Sequence, residues 1–424
     1  MYLKFLGGAR EVGRSGVLFD TGKERILFDY GIKIVNSEGP IKEPQLPMKV
    51  NLNLDAILLS HAHLDHSGFV PNLYHRGYRG PLYTTATTLD LSRILLKDSI
   101  KIARIKNYPE HFNTKDMKEM EKNEFRITYG QYFHVGRLGV GVYDAGHIPG
   151  SVMFHVDAGD KKLVYSGDIK VNDTELLRGL EPIRENTDIL MVESTYGERD
   201  HPPREDQEKK LAEVVKETLE NEGIALLACF AVGRAQEVLL ILKKFGLDKY
   251  PIYLDGMAID ATKIILKYPE LIKHPKQLKK MYHKVTKIHK NKERDKIIKE
   301  PGIIVTTSGM LNGGPVVHYL EKLHDNENCS LVLTGFQVPG SAGRILLDTG
   351  KFVTEENEFK VNCKTHFIDL SAHAGREELL KYIKSVDPKK VLVMHGDQCE
   401  KFSQELKDMG YDSYAPKRGE KVEI

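Results

Sequence analysis

The sequence contains no tryptophan and only four cysteines, Cys229, Cys329, Cys363 and Cys399. They lie far apart without a CxxC pair, which excludes a disulfide framework and a thiolate zinc knuckle and leaves buried free thiols as the expectation. No window approaches the roughly 18 uninterrupted apolar residues that a membrane span needs, and the opening MYLKFLGGAREVG has no long apolar core of a secretion signal. A cytoplasmic protein without a membrane partner is expected. An excess of one charge is also missing: 62 Lys and Arg against 60 Asp and Glu give a net charge of +2, so bulk charge does not reveal a polyanionic partner. There is no internal repeat and no low-complexity tail. What is present is ample apolar material, 41% of 424 residues with 15 Phe and 19 Tyr. Single cores stop growing at roughly 250 to 300 residues, so two domains are expected.

The first half reads as short apolar, β-branched or aromatic runs bounded by Gly, Asp and Ser, which is the strand signal: YLKFLGG, GVLFDT, ERILFDYG, LDAILLSH, GPLYTT, LGVGVYDAGH, SVMFHVDAG and KKLVYSGD. Apolar residues recurring at three and four predict a helix over 87–105. After DILMVESTYG, at 188–197, helix and strand patterns alternate, as in EDQEKKLAEVVKETLENEG, IALLACFAV, GRAQEVLLILKKFG, YPIYLDG and MAIDATKIILKYP. Such alternation predicts a parallel sheet covered by helices. A last α/β stretch holds SLVLTG, FKVNCKTHFIDL, GREELLKYIKSV and KKVLVMHG, and ends in GYDSYAPKRGEKVEI. The Lys-rich segment 274–302 reads either as a solvated helical face or as a surface that tracks phosphates.

Chemistry concentrates in Ser60-His61-Ala62-His63-Leu64-Asp65-His66, directly after the apolar run Ala56-Ile57-Leu58-Leu59. Three imidazoles and a carboxylate on a loop at a strand end supply nitrogen and oxygen ligands that suit zinc. His61 and His63 can face one ion while Asp65 and His66, past a turn, face a second. One such cluster cannot complete two coordination shells, so further ligands are expected at other strand ends. His147 in DAGHIPGS and Asp168 in YSGD have that placement. A carboxylate can bridge two cations, which makes Asp168 the natural shared ligand.

HxHxDH followed by a Gly-flanked His and a strand-end Asp resembles the metallo-β-lactamase superfamily. The match extends to Asp29, in Leu27-Phe28-Asp29-Tyr30-Gly31, where the resemblance implies hydrogen-bonded support of the metal loop rather than ligation. Downstream, Glu193 in VESTYG resembles motif A of the β-CASP subfamily, His373 in LSAHAG its motif B and His395 in VMHG its motif C. FAVGRAQE at 230–237, SGML at 308–311, GFQ at 335–337 and GSAGR at 340–344 also resemble that subfamily, so the likeness covers essentially the whole chain. It implies an α/β fold, a metallo-β-lactamase αββα sandwich with an inserted α/β cap domain whose parallel sheet is flanked by helices. The expected divisions are 1–195 for the first part of the lactamase domain, 196–340 for the insertion and 341–424 for the return. The ligand order agrees, because His61, His147 and Asp168 precede the insertion, His395 follows it, and all must meet. SLVLTG or FKVNCKTHFIDL is expected to rejoin the first sheet.

By resemblance, His at motif C marks RNA-processing members, whereas DNA-repair members usually carry valine. The chain most resembles the group containing the nuclease subunit of the cleavage and polyadenylation specificity factor and its stand-alone archaeal and bacterial relatives, with the RNase J group next. Neither the N-terminal KH domains of some archaeal members nor the C-terminal extension of RNase J is expected here. The expected activity is zinc-dependent hydrolysis of single-stranded RNA, endonucleolytic with 5′-to-3′ exonuclease action as an addition. An RNase J-type exoribonuclease and a small-molecule zinc hydrolase on the same scaffold are the alternatives. Two Zn2+ per chain are expected: His61, His63 and His147 on one, Asp65, His66 and His395 on the other, Asp168 on both. His373 is read as a proton donor or a ligand of the phosphate oxygen, oriented by Glu193. Ser308, the backbone of Gly309, Arg234 and Arg344 are candidate phosphate contacts. His134, His155, His318 and His366 are read as structural, and His75, His111, His201 and His289 lack ligand spacing. A homodimer is left open.

Overall fold

The computed structural model describes residues 1–34, 43–355 and 357–424. Among these, two seven-stranded sheets lie face to face. The first runs through Lys421–Glu423, Tyr2–Gly7, Gly16–Asp20, Arg25–Phe28, Ala56–Leu58, Leu82–Thr85 and Glu124–Ile127. The second runs through Ser413–Tyr414, Lys390–Met394, Ile189–Glu193, Lys162–Tyr165, Val152–Asp157, Leu138–Asp144 and Tyr132–Val135. Phe5, Phe19 and Phe28 of one sheet share a core with Phe154, Tyr165 and Met191 of the other. The Phe28 and Tyr165 rings stack at 4.9 Å. Each such side chain taken out of water contributes about 1.5–3 kcal/mol. The helix Ala86–Ile105 covers the outer face of the first sheet with Leu89, Leu96 and Ile100, its start capped by the Thr85 hydroxyl accepting from Thr88 N–H. Arg376–Val386 and Cys399–Asp408 cover the second sheet with Leu379, Ile383, Phe402 and Leu406. The layers are therefore αββα.

A third sheet is six-stranded and wholly parallel: Thr286–Ile288, Ile252–Asp255, Gly302–Thr306, Ile224–Ala228, Ser330–Leu333 and Lys364–Phe367. Its central strands, IALLA and GIIVT, are buried at every residue because helices such as Arg234–Lys244 and Pro315–Leu323 cover its two faces. Val232, Ala235 and Leu239 of this unit share a core with Ala62, Leu91, Ile148 and Leu177 of the first half. The inserted unit thus packs onto the loops that carry histidines.

The expected return of the chain is corrected here. SLVLTG and FKVNCKTHFIDL supply Ser330–Leu333 and Lys364–Phe367, and both extend the third sheet. The return is made instead by Lys390–Met394, parallel to Ile189–Glu193, and by Lys421–Glu423, antiparallel to Tyr2–Gly7. The division placed at 340 therefore falls inside the inserted unit, whose last strand ends at Phe367. The physical reason is that an apolar run states that a strand is buried but not which sheet takes it; packing decides that. The Lys-rich segment likewise does more than solvate a face, since it contributes the edge strand Thr286–Ile288 between two helices and buries Leu278 and Met281 completely. The four cysteines are buried and free. No helix among the described residues is long and apolar enough to cross a membrane.

Candidate metal centre

The centre forms where strands end. Ala56–Leu58 leads into Ser60 to His63 and the short helix Leu64–Ser67, Leu138–Asp144 into His147, Lys162–Tyr165 into Asp168, and Lys390–Met394 into His395. Asp29 anchors the first of these loops. Its Oδ1 accepts from Ser60 N–H at 2.7 Å, and its Oδ2 accepts from Ser60 Oγ, His66 Nδ1 and Tyr165 OH, each at 2.7 Å. Asp29 and His395 both adopt left-handed backbone, at φ 52° and 48°. That conformation costs a side-chain-bearing residue of order 1–3 kcal/mol and persists only where surrounding bonds enforce it. For Asp29 these four bonds do so, and for His395 the N–H donates to Gly8 O at 2.7 Å. Gly31 is required by close approach, since a Cβ there would lie 1.8 Å from Asp65 O.

The ligand atoms converge in two groups that share one carboxylate. His61, His63, His147 and Asp168 bring one atom each within 4.8 Å of one another, and Asp65, His66, His395 and Asp168 do the same. Asp168 Oδ2 lies 3.5 Å from His61 Nε2 and 3.8 Å from His147 Nε2, whereas Oδ1 lies 3.3 Å from His66 Nε2 and 3.3 Å from His395 Nδ1. Each oxygen therefore addresses a different imidazole group. His395 Nε2 is 3.3 Å from Asp65 Oδ2.

Hydrogen bonds fix which nitrogen is bare. Ser60 Oγ donates to Asp29, so the His61 Nδ1–H must donate to Ser60 Oγ, at 3.0 Å, and Nε2 keeps its lone pair. His147 Nδ1–H donates to Ala372 O at 2.9 Å, which frees its Nε2. His61 Nε2 and Asp168 Oδ1 are buried without a hydrogen-bond partner. Orphaned buried atoms of this kind are costly, and a cation in each group would satisfy them, one at His61 Nε2 and one at Asp168 Oδ1. Burial, with the neighbouring imidazoles, pulls the pKa of His61 well below its ordinary value, and burial pulls that of His63 down to about 4. For His147 burial and then His373 act the same way. Neutral imidazoles are the ligating form. In the second group burial opposes a positive charge, yet the carboxylates of Asp168 and Asp29 raise His66 well above its ordinary value. The donor set fits a divalent metal.

Beside the cluster, His373 Nδ1 donates to Glu193, 3.0 Å from both carboxylate oxygens. Glu193 is itself held by the N–H groups of Ile169 at 2.8 Å and Thr195 at 3.3 Å. Burial lowers the His373 pKa, but the charge of Glu193 and then of Asp168 outweighs it and lifts the pKa to about 9. The loop of His373 is fixed by residues that sequence spacing did not single out. His201 Nδ1 donates to Asp369 Oδ2 at 3.0 Å, Arg204 reaches Ser371 O at 3.3 Å, and Lys170 reaches His373 O at 3.2 Å. No local pattern pairs His201 with a residue 168 positions away.

The candidate phosphate contacts divide. Arg234 lines the cavity of about 300 Å³ that also exposes His63, Asp65, His147, Asp168, His373 and His395. Ser308 Oγ donates to Gly313 O at 3.1 Å, Gly309 O accepts from Gln337 Nε2 at 2.9 Å, and of that motif Met310 lines the cavity. Arg344 is not brought to the site: its Nε donates to Asp348 at 2.9 Å on a half-exposed helix face. An i, i+4 carboxylate was available in the sequence and takes the guanidinium. Among the histidines set aside, His155 bonds Asn186 O at 3.3 Å and His318 bonds Asp295 at 3.0 Å.

Known protein families match this architecture in three stretches. A metallo-beta-lactamase superfamily domain matches residues 17–195, a Beta-Casp domain 235–346, and a Zn-dependent metallo-hydrolase RNA specificity domain 358–416. The chain is 39% identical to "Probable RNase MJ4" of Methanocaldococcus jannaschii over 100% of both proteins. The chain belongs to the β-CASP family of metallo-β-lactamases. As a β-CASP protein it is a metal-dependent hydrolase. It is also similar to "RNase aCSPSF2" of Saccharolobus solfataricus, 34% identical over 100% of this chain and 85% of that one. "Transcription termination factor FttA" of Methanocaldococcus jannaschii is 36% identical over 94% of this chain and 67% of its own. A solved protein of unknown function from Enterococcus faecalis shares the fold, with a TM-score of 0.61, 17% identity and 99% coverage of each chain.

Proposed function

We infer that this β-CASP protein is a two-zinc endoribonuclease acting on single-stranded RNA. The observation that carries the reading is that Asp168 turns one oxygen to each of two imidazole groups while His373, held by Glu193, faces the same cavity. His61, His63 and His147 would hold one ion, Asp65, His66 and His395 the other, and Asp168 both. Zinc is favoured by a donor set of nitrogen and carboxylate oxygen without thiolate. When bound, the ions supply an acidified water and neutralise charge that develops on the phosphate.

The chain's own part is positioning and proton handling. The Nδ1 proton of His373 is committed to Glu193, so Nε2 is the nitrogen available to hydrogen-bond a phosphate oxygen or to protonate the departing oxygen. The His395 ring is flanked by Thr195 Oγ1, 3.3 Å from its Nδ1, and by Gly13 N–H, 3.2 Å from its Nε2. Apolar walls from Ile148, Leu177, Val232 and Met310 keep bulk water from the reacting phosphate. RNA as substrate is supported by the matched RNA specificity domain and by relatives named RNases. A cavity of about 300 Å³ favours a single strand over a duplex.

The test is a long RNA labelled at its 5′ end in one sample and at its 3′ end in another. Internal fragments from both are expected. Mononucleotides released from a monophosphorylated 5′ end would replace the endonuclease reading by a 5′-to-3′ exonuclease. Turnover of lactones or thioesters with RNA left intact would overturn the substrate class.

A further inference from the structure

Arg234 is the first residue of the helix Arg234–Lys244 and is 6% exposed. Its guanidinium makes no hydrogen bond or ion pair among the described residues, and Nε is buried without a partner. A guanidinium carries five N–H donors, and taking it out of water is costly unless acceptors replace the water. The nearest carboxylate does not replace it. Glu237 Oε1 accepts from Glu175 N–H at 2.9 Å and from Arg204 Nη2, and Oε2 accepts from Leu176 N–H at 2.7 Å. Burial and then Arg204 pull the pKa of Arg234 down to about 10, with Glu237 opposing, so the group stays charged at neutral pH. The side chain lines the cavity already described, which leaves that space as the place where its acceptor would sit.

The backbone beside it offers donors to the same space. Gly233, at φ 81°, turns the chain into the helix, and a Cβ there would meet Ile148, the neighbour of His147, at 3.1 Å. First-turn amides lack intrahelical acceptors and carry the positive end of the helix dipole. Ala235 N–H is taken by Phe230 O and Glu237 N–H by Gly233 O, while those of Gly233 and Arg234 have no partner among the described residues. Among the described residues no hydrogen bond or ion pair joins Arg234 to Asp65, Asp168 or an imidazole of the cluster, whose close contacts are with one another. Arg234 thus stands apart from the ligand atoms, on the wall of the cavity that the inserted unit supplies.

The geometry points to a second phosphate subsite, in which Arg234 and the first amides of its helix hold an RNA phosphate next to the one being cut. This rests on the ribonuclease reading and adds what the inserted unit grips. Because no base edge is involved, the subsite sets the register of the strand without reading its sequence.

The experiment uses the full chain with its metal and a single-stranded RNA cut at one place. One linkage at a time is replaced by an uncharged methylphosphonate, and both cleavage and binding by fluorescence anisotropy are measured. Cleavage of the unmodified RNA comes first: without it the ribonuclease reading falls, and the subsite with it. With it, one linkage beside the cut is expected to lower kcat/KM about tenfold to a hundredfold, the scale of a lost charge-assisted hydrogen bond. Arg234→Gln should abolish the sensitivity at that linkage, since two partners of one contact couple in a double-mutant cycle. Arg234→Lys, which keeps the charge without the fork, should retain part of it. A wild-type profile flat at every linkage except the scissile one overturns the subsite alone, whether or not the variants fold. So does a sensitivity that Arg234→Gln leaves intact. Comparing 5′-monophosphate with 5′-hydroxyl RNA separates the occupants: dependence on the 5′ group assigns the subsite to a terminal phosphate, and sensitivity at an inner linkage assigns it to an internal one.

Discussion

Asp168 gives one oxygen to His61 and His147 and the other to His66 and His395, so each group of imidazoles loses its shared carboxylate when this side chain is removed. Asp168→Ala should therefore lower the zinc content from close to two ions per chain, measured by elemental analysis; retention of both ions would contradict the assignment. His373 stands beside the proposed ligands, its ring 4.6 Å from that of His147, but its Nδ1 is held by Glu193 and it is not assigned to either ion. His373→Ala should keep the metal and slow RNA cleavage by about a hundredfold or more, and unchanged turnover would remove His373 from the chemistry. Asp29→Ala acts one layer out, leaving Ser60, His66 and Tyr165 with buried unsatisfied groups. A loss of about 3 kcal/mol or more in denaturant unfolding is expected, with zinc affinity weakened by about tenfold to a hundredfold. That these side chains converge was legible in the sequence because HxHxDH, the strand-end His147 and the strand-end Asp168 each carry their meaning locally. The clamp of His201, Asp369 and Arg204 around the His373 loop was not, because each contact joins residues that only the fold brings together.

At the scale of elements, the loop after Leu138–Asp144 controls where His147 stands. Asp144, at its start, has its pKa pushed up to about 7, chiefly by burial and further by Glu181, although Gly146 N–H bonds its Oδ1 at 2.8 Å and pulls the other way. An unfolded Asp ionises near pH 4. The folded protein thus keeps a proton that the unfolded chain releases, and the stability this group contributes is full below about pH 4 and lost as pH rises to about 7. Asp144→Asn should flatten that limb, raising the melting midpoint more at pH 8 than at pH 4. Equal shifts at the two pH values would show the carboxyl to be unperturbed. Elements with strong periodicity were legible: the helix expected over 87–105 is Ala86–Ile105, and IALLACFAV contains Ile224–Ala228. Glu124–Ile127 and Tyr132–Val135 were not, because edge strands with exposed Phe125 and Tyr132 lack the apolar signature of a core strand. Ser330–Leu333 and Lys364–Phe367 read correctly as strands and were assigned to the wrong sheet, since partner choice is not written in a single strand.

Across the whole molecule, the proposed ligands come from four separated stretches, so bound metal would tie the first half of the chain to the segment that follows the insertion. Chelation should lower the melting midpoint, because an ion that binds only the folded state stabilises it by about 1.4 kcal/mol for each tenfold excess over its Kd. A midpoint indifferent to chelator would deny the tie. If the inserted unit grips phosphates, RNA affinity should fall with salt at a log–log slope of about −0.7 per phosphate neutralised, and affinity flat in salt would count against a phosphate-lined path.

His395 reaches the centre on Lys390–Met394, after the entire inserted sheet has been laid down. A chain growing from its N-terminus therefore holds six of the seven ligands, His61, His63, Asp65, His66, His147 and Asp168, while it still lacks both His373 and His395. The strand that pairs with Ile189–Glu193 arrives with them. A chain truncated before Lys390 should therefore fail to complete the proposed centre even though the other proposed ligands are present.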